Sequence, residues 1–118
     1  MIYRGSLGEI SNKADWVSRV YTLVNESDGS EIDLSNPALG VEIELVVRKS
    51  GCRNDLIKAL LSDGDGKITL NGTGFQWQLA PADLSGLCAA TYDVGVAVTI
   101  SGVKHDVILA DVAVLEGV

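Results

Sequence analysis

From residue 41 the chain alternates. Val41, Ile43, Leu45 and Val47 share one parity, while Glu42, Glu44 and Arg48 share the other, with Val46 the one apolar exception. A period of two marks a strand with one buried face. A slip of one residue would bury two glutamates, so the register is well determined. The pattern returns after Gly66 as Lys67-Ile68-Thr69-Leu70, the turn Asn71-Gly72-Thr73-Gly74, and Phe75-Gln76-Trp77-Gln78-Leu79. Asn-Gly supplies the positive φ of a tight hairpin, and the parity shared with Leu79 sends Phe75 and Trp77 to the core. Tyr92, Val94, Val96, Val98 and Ile100 then form an unbroken inward face, opposed by small or polar Thr91, Asp93, Gly95, Ala97 and Thr99. Ser101-Gly102 turns the chain into a last strand over Val107 to Leu115, with Ile108, Ala110, Val112 and Val114 inward.

The remaining stretches are less regular. Residues 1–15 read as an N-terminal arm, extended and packed on a neighbour or a sheet edge through Ile2, Tyr3, Leu7 and Ile10, or else a frayed terminus. Residues 16–118 read as the domain. Trp16 to Val24 is apolar on both parities, as in a strand covered on both sides or an edge strand used in an interface. Asp28-Gly29 is a turn, Glu31 to Leu34 alternates with Ile32 and Leu34 inward, and Pro37 ends that strand because it has no N–H to donate. Asn54 to Ser62 carries i, i+4 pairs at Leu56/Leu60 and Ile57/Leu61 behind a capping Asn54 or Asp55. It predicts the one short helix, although so short an apolar run also suits a strand. Pro81-Ala82-Asp83 predicts a corner, with Asp83 capping a single helical turn through Leu87. Short strands between Gly, Asp and Asn turns predict an all-β antiparallel sandwich of about seven strands with one helix near 54–62.

Composition narrows the chemistry. The chain has 118 residues, enough for one domain, and its 47% apolar content excludes a disordered chain. A formal charge of −7 speaks for solubility and against nucleic acid or anionic membranes, with no basic cluster to override it. No apolar run reaches the ~20 residues of a membrane helix, and the first residues lack the apolar core of a secretory signal, which predicts synthesis in the cytoplasm. Cys52 and Cys88 allow one bridge, but a reducing compartment predicts two free thiols. No catalytic, cofactor or metal site is expected. His105 is the single histidine and is expected in a solvated loop, too little for a Ser–His–Asp set or a zinc site. Asp63-Gly64-Asp65-Gly66 fails as a calcium loop, since Leu61 and Gly72 occupy the first and last ligand positions.

One larger pattern joins these pieces. Asp28-Gly29-Ser30-Glu31-Ile32-Asp33-Leu34 is followed by the alternating strand Val41 to Arg48, the turn Asp65-Gly66, an aromatic strand ending near Pro81-Ala82-Asp83, and Ala90-Thr91-Tyr92 leading to a Val-rich strand. Over roughly residues 16–116 it resembles a family of short phage and prophage structural proteins encoded among tail, neck and fibre genes. Ala90 stands where that family has Gly. The resemblance implies an immunoglobulin-like β-sandwich and a non-enzymatic virion component of the tail, neck or baseplate/fibre-attachment region, made in the host cytoplasm. It implies other virion proteins as partners, with homo-oligomerisation expected from symmetric assembly. Partner contacts are expected at Ile2, Tyr3, Leu7, Ile10, Trp16 and Tyr21. Tyr92, near the start of its strand, resembles a tyrosine corner reaching back to Asp83–Leu87. A carbohydrate- or ligand-binding sandwich module stands as the alternative, and would expose the aromatic face of Phe75 and Trp77.

Overall fold

The computed structural model describes residues 3–24, 28–52, 54–64 and 66–116. Its strands in chain order are β1 (Tyr3–Ser11), β2 (Trp16–Val17), β3 (Leu23–Val24), β4 (Glu31–Ile32), β5 (Glu42–Lys49), β6 (Asp55–Leu60), β7 (Ile68–Asn71), β8 (Gly74–Leu79), β9 (Ala90–Ile100) and β10 (Val103–Leu115). A single helical turn, α1 (Pro81–Leu84), precedes β9, and 3-10 turns occupy Pro37–Leu39 and Leu61–Asp63. The fold is all-β and sandwich-like. One sheet runs β1-β10-β9-β5-β6, a second runs β2-β8-β7, and β3-β4 is a separate ribbon.

The alternation read from the sequence decides which faces meet. Ile43, Leu45 and Val47 of β5 and Tyr92, Val94, Val96 and Val98 of β9 are buried. They join one core cluster with Ile68 of β7 and Phe75, Trp77 and Leu79 of β8. Burying side chains of this size contributes on the order of 1.5–3 kcal/mol each, so the β5–β9 and β7–β8 pairs are the stable centre. The β9–β10 turn is the tight one expected, with Ser101 at φ 51° and Gly102 at φ 83°. Two consecutive left-handed residues match the twist of a hairpin.

Five expectations are corrected. The Asn54–Ser62 segment is not a helix: Asp55–Leu60 is a strand paired antiparallel with β5, Ala59 opposite Leu45 and Ile57 opposite Val47. Its leucines satisfy both periods locally. The hairpin wins because β5 offers a full backbone ladder that two isolated helical turns cannot match. Leu56, which a helix would bury, is 50% exposed at an irregularity beside the Arg48–Asp55 ion pair. Next, Trp16–Val24 is not one strand. It pairs only at Trp16–Val17, makes an isolated bridge from Tyr21 to Phe75, and resumes at Leu23–Val24. Third, the main sheet is mixed: β1 lies parallel to β10, Tyr3 opposite Ile108 and Ile10 opposite Val114. A parallel pair needs a long connection, and here almost the whole chain is that connection. Fourth, the last strand begins at Val103, so His105 sits in β10, exposed, rather than in a loop. Fifth, the β10 register shifts between Asp106 and Ile108, and Val107 and Ile108 are therefore both buried, which a strict alternation forbids. The N-terminal arm is thus an edge strand over Tyr3–Ser11, anchored at its end by Asn12, whose N–H donates to Leu115 O at 3.1 Å and whose buried amide donates to Leu87 O at 3.0 Å.

Candidate functional site

Two regions gather the residues singled out by sequence. The first is the corner before β9. Pro81 presets the first helical position of α1. The Asp83 carboxylate accepts from the Ala80 N–H at 3.0 Å and pairs with Lys67 Nζ at 3.1 Å. Burial pushes the Asp83 carboxyl up, but the Ala80 N–H and then Lys67 outweigh it and hold the group below its ordinary 3.8. The Tyr92 hydroxyl donates to Cys88 O at 2.8 Å, one residue beyond the expected span. Burial first, then the Cys88 thiol 3.6 Å away, push the phenol above its ordinary 10.0. Tyr92 and Asp83 hold opposite ends of the corner and do not touch each other's partners. Cys52 and Cys88 are free, exposed thiols.

The second region is a cleft of about 330 Å³ between β1 and the chain after β2. Its walls include Leu7, Trp16, Ser18, Arg19, Tyr21 and Trp77. The local sequence explains its shape. The Ser18 N–H donates to Trp77 O, and the Ser18 hydroxyl accepts from the Trp77 N–H, both at 2.9 Å. That hydroxyl also donates to Arg19 O at 2.8 Å, which turns the chain out of the strand. Tyr21 then returns, exchanging backbone hydrogen bonds with Phe75 at 2.8 and 2.9 Å. This return needs Gly74: a Cβ there would lie 2.3 Å from Tyr21 O. The result is an aromatic stack. The Tyr21 ring lies parallel to Trp77 at 5.4 Å, Trp16 meets Trp77 edge-on at 5.6 Å, and the Arg19 guanidinium sits 5.9 Å from the Tyr21 centroid. The indole Nε1 of Trp77 is buried with no hydrogen-bond partner among the described residues.

Of the six expected contact residues, the structure brings three together here. Leu7 and Tyr21 are half-buried in the cleft wall, while Trp16 is only 7% exposed, so its ring is core rather than free surface. Ile10 is half-buried against the core. Tyr3 enters through its backbone pairing with Ile108, and Ile2 lies outside the described residues. Sequence reasoning passed over Arg19, Ser18 and the cleft role of Trp77. The only local signal was an arginine and a serine breaking an apolar run. Alternation places Glu42 on the outward parity of β5. Its carboxylate accepts from the N–H groups of Ser62 at 3.1 Å and Ile43 at 3.0 Å; burial pushes the carboxyl up, but the hydrogen bonds with Ser62 and then Ile43 outweigh it and hold the group below its ordinary 4.5.

A larger hollow of about 480 Å³ lies by β1 and β10, lined in part by Asp93, Leu109 and Asp111. Asp93 and Asp111 are directly paired across β9 and β10, an arrangement of like charges that weakens a sheet locally. Among the described residues no group of three or more His, Cys, Asp or Glu is placed to hold a metal ion. No described helix is long and apolar enough to cross a membrane.

The architecture defines a class, an all-β sandwich-like protein with an aromatic cleft at one sheet margin. No protein-family model and no curated protein matches the chain.

Proposed function

We propose that this protein is a non-enzymatic structural component of a phage virion, in the tail, neck or baseplate/fibre-attachment region, that acts through protein–protein contacts. The resemblance over residues 16–116 motivates the virion assignment. The observation that carries the contact role is the margin along residues 16–24. Val17, Val20 and Val24 are 51%, 40% and 48% exposed, and β2 is the outermost strand of its sheet. Exposed apolar side chains beside an unpaired strand edge are a contact surface rather than a tolerable free edge.

An immunoglobulin-like arrangement is part of this reading. The order β10-β9-β5-β6 with β1 parallel to β10, facing β2-β8-β7, and the Tyr92 hydroxyl turned back to the corner before β9 both support it. Partners are other virion proteins and further copies of this chain. The carbohydrate-module alternative needs an open aromatic platform. Phe75 and Trp77 are 0% and 1% exposed, so they offer none.

Mass spectrometry of purified particles from a host carrying this gene tests the reading, with light scattering on the isolated protein for self-association. The protein is expected among the particle proteins at stoichiometric abundance. Its absence from particles refutes the assignment.

A further inference from the structure

The exposed apolar edge does not explain the cleft beside it, where three observations converge. Trp77 lines the cleft, and its indole N–H is buried with no acceptor among the described residues, which makes it a nearby reporter of the cleft. Arg19 stands exposed at the rim over Tyr21, and among the described residues none that lines the cleft is acidic, in a chain whose net charge is −7. The cleft is therefore a locally cationic point on an acidic molecule and favours an anionic group. Finally, the cleft lies between two outermost strands. Among the described residues β1 has a neighbour only in β10 and β2 only in β8, so each is an outermost strand, and Leu7 and Val17 supply apolar walls.

Backbone edges select an extended chain, apolar walls select apolar side chains, and Arg19 selects an oxygen-rich anion between them. A sugar is disfavoured because the Trp16 and Trp77 rings are already covered by protein.

We propose that the cleft between β1 and β2 is a docking site for an extended segment of a partner protein that carries a carboxylate side chain between apolar neighbours. This rests on protein–protein contact as the mode of action, not on membership of a particle, which particle mass spectrometry decides separately.

The chain has two tryptophans, both in this cleft, so two indole N–H resonances report on it directly. Trp16→Phe assigns them. The probes are the blocked peptide acetyl-Thr-Val-Glu-Val-Thr-amide, the same peptide with Lys for Glu, and the sugars glucose and N-acetylglucosamine. At millimolar concentration the acidic peptide is expected to shift the Trp77 indole resonance saturably, with the lysine peptide at least about tenfold weaker. Arg19→Glu, a change at an exposed side chain that leaves the fold intact, is expected to reverse that preference. Three results overturn the proposal. The Trp77 resonance could stay fixed with the acidic peptide, which means no extended acidic segment docks in the cleft. Both peptides could shift it equally. A sugar could shift it while the peptides do not, which assigns the cleft to carbohydrate.

Discussion

Replacing Tyr92 by Phe removes one oxygen from the core and nothing else. The ring is 1% exposed and its hydroxyl donates to Cys88 O at 2.8 Å. The Phe variant keeps the ring, so no cavity forms and the cost is that of one hydrogen bond, about 1 kcal/mol. The bond is half-buried rather than fully enclosed, which keeps the loss below the value for a fully buried orphan. For a chain of this size that is a fall in Tm of about 3–6 °C. Tyr92→Ala, by contrast, empties the ring's volume and costs about 3–5 kcal/mol. Urea titration of both variants at pH 7 gives the comparison, with the slope m unchanged in the Phe variant.

A second arm uses pH. The folded phenol titrates above its unfolded value of 10.0. Its contribution is therefore complete below pH 10.0 and is lost as the pH rises through the folded value. The gap between wild type and Tyr92→Phe must narrow above that point. A Phe variant as stable as wild type, or a gap that widens with alkali, refutes the corner as a stabilising hydrogen bond.

Three further outcomes are expected. Ala59→Asp places a carboxylate at a position 1% exposed and opposite Leu45, so it costs about 3 kcal/mol or more in a chemical denaturation; in a helix with Leu56, Ile57, Leu60 and Leu61 inward, the same change would be harmless. Asp83→Ala removes the Ala80 N–H acceptor and a partly exposed ion pair with Lys67 and costs about 1 kcal/mol at pH 7. Because the folded carboxyl titrates below 3.8, that stability is present above this value and disappears as the pH falls through the folded one, so wild type and variant converge in acid. Gly74→Ala drives a Cβ into Tyr21 O at 2.3 Å, costs about 1–3 kcal/mol, and shifts Trp emission to longer wavelength as Tyr21 leaves Trp77; unchanged emission contradicts the close-approach account.

Where a feature depends on neighbours two to four residues away, it was legible. The inward faces of β5, β8 and β9 and the Gly72 and Gly102 turns follow from alternation and positive φ, which are properties of short windows, whereas the helical turn expected from Asp83 through Leu87 instead spans Pro81–Leu84, with Asp83 at its third position reaching back to the Ala80 N–H. Asp55–Leu60 was misread as a helix because its leucines fit both periods at once. The choice fell to β5, whose Leu45 and Val47 lie opposite Ala59 and Ile57. The extra residue at Val107 left no mark in composition, because a bulge is defined by the partner strand and not by the strand that carries it.

The candidate site was legible only as residue names. Leu7, Trp16 and Tyr21 stood out as apolar side chains without a clean face. That they share one cleft with Trp77 and Arg19 depends on contacts across long stretches of chain: the Ser18 hydroxyl with the Trp77 N–H, the Tyr21 carbonyl against Gly74, and β1 laid along β10. The amino-acid order by itself determined that this is an all-β chain, which side chains its strands bury, and where it turns. Tertiary structure alone decided that β1 runs parallel to β10, that Trp16 is core, and that Arg19 and Tyr21 meet Trp77 at a cleft between two sheet margins. Periodicity is encoded locally, whereas strand order and the pairing of distant polar groups are settled only when all the strands compete for the same neighbours.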